Sequence, residues 1–261
     1  MNDVLDKKII EENTDNNIRC EVYDEIDSTN NKMKEYIYSG KRDVDLIVAD
    51  SQTMGRGRMG RTFDSPTGHG IYMSMLIKSD LKRENVLLIT SAAAVAVVRT
   101  VRKLTGVEAV IKWVNDIYVG KRKVCGILAE AVSCGEQGID VVLGIGINVS
   151  SSSDMFSESV REIAGSLYDS GRCGINKVSR NELIAGVVNE FHGIYRNIEE
   201  REFIEDYRKY SLVIGKNVRF LKDNAWVSGK AVDIDDDGGL IVDTCDGRVL
   251  LNTGEISLRL Q

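Results

Sequence analysis

Gly55-Arg56-Gly57-Arg58-Met59-Gly60-Arg61 decides how the rest of the chain is read. Three glycines and three arginines fall within seven residues. Glycine lets a ligand approach the backbone closely. Arginine stays charged and grips carboxylate or phosphate with a planar fork. The stretch reads either as an anion cradle or as a solvated basic turn. It also matches Gly-x-Gly-x-x-Gly, a dinucleotide fingerprint that has to follow a strand and open a helix. Residues 46–50 before it are strand-like, but residues 62–70 after it hold the chain's only proline, Pro66, and two more glycines. Residues 71–77 then read as a second strand. No helix opens at the glycines, which excludes a Rossmann fold, and a Walker A loop lacks its Gly-Lys-Ser/Thr.

The 261 residues suffice for one large domain, or one large and one small. An apolar content of 43% supports a sizeable core. A net charge of -6 argues against a general nucleic-acid binder and makes the arginine loop a local exception. Five scattered cysteines without a CxxC pair, and two histidines, argue against a zinc site or a disulfide framework. Reduced thiols and a cytoplasmic location are expected. No signal peptide opens the chain, and the most apolar stretch, 86–98, is too short to span a membrane.

Residues 1–17 read as a polar, frayed lead-in. A strand is expected over 18–26. Asp27-Ser28-Thr29-Asn30 then supplies cap-type residues for a short helix ending at Gly40. Capping alone is one reading of Ser28, Thr29 or Asn30. Residues 84–104 form the strongest helix signal, apolar nearly all round and so buried, with Gly106 beyond. Strands follow over 109–113, 117–119, 124–132 and 141–149, with a hairpin turn at Gly120-Lys121-Arg122. Glycines 144 and 146 mark a bulge or a close approach by a ligand. Helices are expected near 154–164, over 179–197 with a Ser179/Glu182 capping box, and over 200–210. From 212 onward, short strands (213–221, 225–234, 239–243, 248–251, 255–260) alternate with Asp/Asn/Gly turns, the pattern of a small β-barrel.

A second informative stretch is Lys112-Trp113-Val114-Asn115-Asp116, continuing through Lys123-Val124-Cys125-Gly126-Ile127-Leu128-Ala129-Glu130. Lysine, asparagine and aspartate at a strand end suit a phosphate, a base edge and a magnesium ion. A surface turn with Asn-Asp at its corner is the alternative. No Ser-His-Asp or Cys-His arrangement is present. Charge neutralisation without a covalent nucleophile suits adenylyl transfer, in which the protein mainly positions groups and offsets charge.

Taken in order, residues 55–61 with Ser65-Pro66, then Lys112-Trp113-x-Asn115-Asp116, Lys123-x-x-Gly126-Ile127-Leu128-x-Glu130 and Gly144-Ile145-Gly146-Ile147-Asn148-Val149 closely resemble the biotin–protein ligases. Gly254-Glu255-Ile256-Ser257-Leu258-Arg259 is similar to that family's small SH3-like domain. The resemblance implies an α+β fold: a class II aminoacyl-tRNA-synthetase-like mixed sheet with helices (18–211), followed by an SH3-like barrel (212–261). It implies that biotin and Mg-ATP give biotinyl-5′-AMP, and that a lysine of a carboxylase carrier domain then takes the biotin. ATP and Mg²⁺ are co-substrates, and no tightly bound prosthetic group is expected.

By the same resemblance, Ser28, Thr29 and Gln52 hydrogen-bond the biotin head group, with Asn30, Gly55, Gly126 and Gly144 in the biotin set. Arg56, Gly57 and Arg58 border the biotin carboxylate and the phosphates, and Arg61 lies nearer the pyrophosphate. Lys123 contacts the carboxylate and the α-phosphate oxygens. Lys112 faces phosphate, and Asn115, Gly146 and Asn148 lie near the nucleotide. Asp116 holds magnesium or orients the incoming lysine; with Arg58 and Lys123 it makes the catalytic set. Three departures stand out. Val114 replaces a usual proline, removing a φ restraint. Phe63 replaces a common tryptophan. Residues 1–17 cannot build the winged helix-turn-helix of repressor members, so no DNA partner is expected. A homodimer stays open. The alternatives are a lipoate or octanoate ligase of the same fold and a non-catalytic biotin sensor.

Overall fold

Alternating apolar residues build a seven-stranded mixed sheet in the computed structural model, which describes residues 3–15, 17–79, 86–133, 139–168, 176–222, 225–252 and 258–260. Its strands are β1 (Cys20–Ile26), β2 (Leu46–Gln52), β3 (Gly70–Ser79), β4 (Ala109–Lys112), β5 (Asp116–Val119), β6 (Arg122–Ser133) and β7 (Ile139–Asn148). Their order is β1-β2-β3-β7-β6-β5-β4. Among the described residues of this sheet, only the β1–β2 strand pairing is parallel.

The two-residue period sorts side chains between two faces. Leu143, Ile145 and Ile147 of β7 enter the larger core beneath α3 (Val86–Thr105), α4 (Arg180–Tyr195) and α5 (Phe203–Lys209). Val142 points the other way and packs with Met33, Tyr36 and Ile37 of α2 (Thr29–Tyr38). By the same alternation Gly144, Gly146 and Asn148 belong to the α2 face. Helix α3 is buried through its central turns, as its composition requires, with Ala92 through Val98 fully inaccessible. Helix α4 carries the expected capping box between Ser179 and Glu182. No helix among the described residues is long and apolar enough to cross a membrane.

Two expectations need correction. The polar N-terminal stretch is not a frayed lead-in: it holds α1 (Lys7–Glu12), with Leu5 and Ile10 buried in the main core. Asn181 of α4 donates to the Val4 carbonyl (2.9 Å) and accepts from the Asp6 amide (3.0 Å), so α4 docks this segment through its backbone. Residues 154–164 form no α-helix. A 3-10 turn, Ser153–Met155, leads into further turns because β6 takes their backbone groups. The Lys123 amide donates to Ile163 O (2.7 Å), and Arg122 Nη1 to Arg161 O (2.8 Å).

The C-terminal unit is a second, antiparallel sheet. Its strands are β8 (Asn217–Lys222), β9 (Ala225–Ile234), β10 (Leu240–Thr244), β11 (Gly247–Leu251) and β12 (Leu258–Leu260). They pair antiparallel in the order β11-β10-β9-β8-β12, and among the described residues no pairing joins β11 to β12 to close a barrel. Residues 253–257, which hold the start of the expected last strand, lie outside the described residues. The inner side chains Val218, Phe220, Ala231 and Val242 merge with the main core.

Candidate active site

Helix α2 begins over the ends of β2 and β3, and there the sheet opens into a cavity of about 640 Å³. Its neutral end is built first. Ser28 is the N-cap of α2, but its hydroxyl makes no capping bond and lines the cavity instead. The capping role that could have absorbed it is therefore not the one it plays. The Thr29 amide and hydroxyl donate to Gln52 Oε1 at 2.9 and 3.2 Å. Gln52 Nε2 donates to Ser65 Oγ at 2.9 Å, which fixes the orientation of its amide. Asn30 completes the group above Gly144, where any Cβ would collide with its amide.

The floor follows from glycine. Gly126 of β6 pairs with Gly146 of β7, and both present bare backbone to the cavity. Phe63 lies over them: a Cβ on Gly146 would come within 2.6 Å of its ring, and one on Gly126 within 3.3 Å. Thus the glycines read in sequence as a close approach are one: Asn30 approaches Gly144 and Phe63 approaches Gly146.

The cationic end comes from the arginine loop and from β4–β6. Arg56 bridges to Thr62 across the loop, and the Gly57 amide donates to Arg61 O at 2.7 Å. Between them Met59 and Gly60 take φ values of 55° and 71°, which reverse the chain. Arg58 turns inward and donates to Asn115 Oδ1 at 2.8 Å. Burial lowers its pKa and the nearby Asp116 charge raises it; a guanidinium so placed stays charged. Lys123 Nζ sits 2.6 Å from Asp116 Oδ1. Lys112 lines the same wall, 5.4 Å from the centre of the Tyr118 ring. Burial, with the Asp116 charge, pushes the Tyr118 hydroxyl up to about 12, so it stays protonated. Arg61 also lines the cavity and is exposed.

The remaining wall is the part that the sequence did not reveal. Phe156, Val160, Ile163 and Ala164, on the turns expected to be helical, close the cavity beside β6. Asn148 stands next to them: its Nδ2 donates to Gly165 O at 3.0 Å, while its buried Oδ1 has no hydrogen-bond partner. A buried acceptor left unpaired costs free energy, and this one borders the cavity.

Every expected site residue except Gly55 lines this cavity. Gly55 is buried behind it, where a Cβ would run into the Phe63 carbonyl. Its role is to let the two arms of the loop close. Arg56 lines the cavity, but its guanidinium turns to Asn31 (3.1 Å) and Glu130 (3.2 Å). The residues present do not fit a protein-built magnesium site. Asp116 is already paired with Lys123, and among the described residues no three carboxylate, histidine or cysteine groups converge. A second cavity of about 680 Å³ lies between α3, α4 and α5. Arg99 pairs there with Asp206 at 2.7 Å, and none of the expected residues reaches it.

Comparison with known proteins agrees with this geometry. Residues 22–148 match the biotin/lipoate A/B protein ligase family, and residues 213–259 match the biotin protein ligase C terminal domain. The chain is 35% identical over 238 residues to the bifunctional ligase/repressor BirA of Bacillus spizizenii, covering 90% of this chain and 72% of that protein. It is 33% identical over 239 residues to the biotin–[acetyl-CoA-carboxylase] ligase of Mycobacterium tuberculosis, covering 88% and 85%. The structure superposes on the biotin protein ligase of Aquifex aeolicus in complex with biotin and ATP with a TM-score of 0.79 and 28% identity, covering 93% and 99% of the two chains. Site, fold and relatives converge: the chain belongs to the biotin protein ligase family.

Proposed function

We propose that this cavity joins biotin to ATP and passes the product to a lysine of a carboxylase carrier domain. The enzyme is an ATP-dependent biotin ligase, and the finer assignments that follow are our reading of its residues. The observation that carries them is one cavity with a neutral polar end, fixed cations at the other end and an orphan acceptor, Asn148 Oδ1, beyond the cations.

Thr29, Gln52 and Ser28 offer hydroxyls and an amide to the ureido head group, which needs both donors and acceptors. The biotin carboxylate then lies toward Arg58 and Lys123. A carboxylate oxygen attacks the α-phosphorus of ATP, the bond to the β-phosphate oxygen breaks, and pyrophosphate leaves. Lys123 and Arg58 are placed to offset the charge that gathers on the non-bridging oxygens. In the second half-reaction the amine of the carrier lysine attacks the acyl carbon, AMP departs, and the new amide nitrogen gives up a proton. Asp116 is the carboxylate nearest to receive that amine as it enters. Lys112 and Arg61 face the departing phosphates. Because the described residues form no metal cage, magnesium would arrive with the nucleotide. Residues 18–211 supply this chemistry, and 212–261 form the supporting C-terminal unit.

Asn148 Oδ1 accepts from the exocyclic amine of adenine. Hypoxanthine carries a carbonyl in that place, so ITP should support biotin-dependent pyrophosphate exchange at least tenfold less efficiently than ATP. Equal use of ATP and ITP would remove Asn148 from the base site. Transfer of octanoate or lipoate in place of biotin would overturn the head-group reading.

A further inference from the structure

Glu130 belongs to the motif that begins at Lys123, yet it does not line the cavity. It stands on the α2 face of β6, opposite Val142, with its side chain 18% exposed. Three groups converge on its carboxylate. Asn30 Nδ2 donates to Oε2 at 2.8 Å; Lys34 Nζ and Arg56 Nη2 reach Oε1 at 2.6 and 3.2 Å. Burial alone would raise its pKa, but these donors outweigh it and hold the carboxyl below its usual range.

An ionised carboxylate can only accept. Asn30 must therefore turn its NH₂ toward Glu130 and its Oδ1 toward Ser74, which lies 2.5 Å away. The single Ser74 hydroxyl proton is then committed to Asn30, although Thr29 Oγ1 is only 2.7 Å off. Gln52 is oriented separately by the Thr29 amide at 2.9 Å and presents its NH₂ to Ser65, whose hydroxyl donates to the Phe63 carbonyl at 3.0 Å. One charge thus sets the orientation of Asn30 and the direction of the Ser74 proton. The same charge holds the arginine loop through Arg56.

We propose that Glu130 is a positioning residue of the ligase: it fixes the donor–acceptor order of Asn30 and Ser74 at the biotin end and latches loop 55–61 through Arg56. This rests on the biotin reading of the neutral end. Glu130 touches neither phosphate nor the reacting carboxylate, so its loss removes binding made equally in ground and transition state. In the full chain, Glu130→Gln, which can donate to Asn30 and reverse the order, raises the KM for biotin at least tenfold and leaves kcat at saturating biotin within threefold. Arg56→Ala alone raises that KM about threefold and adds nothing on the Glu130→Gln background, because the two act as one unit. A biotin KM within twofold of wild type in Glu130→Gln, or a kcat that falls in step with the rise in KM, overturns the ordering role. Additive effects of the two substitutions overturn the latch. Should Glu130→Gln not fold, the half-exposed Arg56→Ala still decides through hydrogen exchange: faster exchange of amides 55–61 supports the latch, and unchanged exchange refutes it. If the wild-type chain uses no biotin, the biotin reading fails. If the wild type uses biotin and the variants match it, only the role of Glu130 fails.

Discussion

Lys123 and Arg58 reach the cavity from different parts of the chain, one from the start of β6 and one from the glycine loop. Losing a fixed cation where transition-state charge develops costs roughly 10²–10³ in rate. Lys123→Ala should therefore lower biotin-dependent ATP–pyrophosphate exchange by about that factor, and Trp226→Ala, on the C-terminal sheet, should not. Equal effects would contradict the role given to Lys123. Arg58→Ala should release biotinyl-AMP into solution faster than wild type, measured by chasing labelled intermediate off the purified chain; retention at the wild-type rate removes Arg58 from its grip. These residues were legible in the sequence as cavity-lining groups because few residue types serve: glycine where backbone is approached, arginine and lysine where fixed positive charge is gathered. Glu130 was not legible. Its partners Asn30, Lys34 and Arg56 lie 100, 96 and 74 positions away, and only the folded sheet gathers them.

Helix α2 carries Ser28, Thr29 and Asn30 into the site, and a compact polar clip holds its far half to β1. Tyr23, Tyr36 and Lys41 all donate to Glu21, at 2.7, 2.6 and 2.6 Å. Burial would raise the Glu21 pKa, but these donors win and bring it down to about 2. A depressed carboxylate stabilises the fold above its unfolded value of about 4.3 and ceases to as pH falls toward the folded value. Glu21→Gln should thus be less stable than wild type at pH 6, by about 1 kcal/mol or less for so accessible a group, and the gap in thermal midpoint should narrow below about pH 4.3. A gap independent of pH over that window contradicts the clip. Elements with a strong local signal, such as α3 with its apolar run and α4 with its capping box, were legible. Helix α1 was not, because six residues in a polar stretch owe their form to Asn181 and to the burial of Leu5 and Ile10. The turns at 153–164 were misread for the same reason: hydrogen bonds from Arg122 and Lys123 override what a helical pattern offers locally.

Across the whole molecule, the C-terminal sheet is tied to the cationic end of the cavity. Trp113 Nε1 donates to Gly238 O at 2.9 Å, the Tyr207 hydroxyl to Val114 O at 2.8 Å, and Arg208 Nε to Ile234 O at 2.6 Å. Gly238 reaches this position with a φ of 83° in the turn between β9 and β10. Trp113→Phe removes one donor and strands a carbonyl, which should cost about 1–3 kcal/mol and raise the KM for ATP more than that for biotin; the reverse order would separate the C-terminal sheet from the nucleotide site. All of these roles depend on one claim, that the cavity makes biotinyl-AMP and hands biotin to a lysine. Incubating the full chain with biotin, ATP, Mg²⁺ and a carboxylase carrier domain, and reading the intact mass of the carrier, tests it directly. The account predicts one biotinyl group on one carrier lysine, with AMP released in equal amount and nothing transferred when ATP is withheld. An unmodified carrier, or one that takes octanoate or lipoate but not biotin, would contradict it.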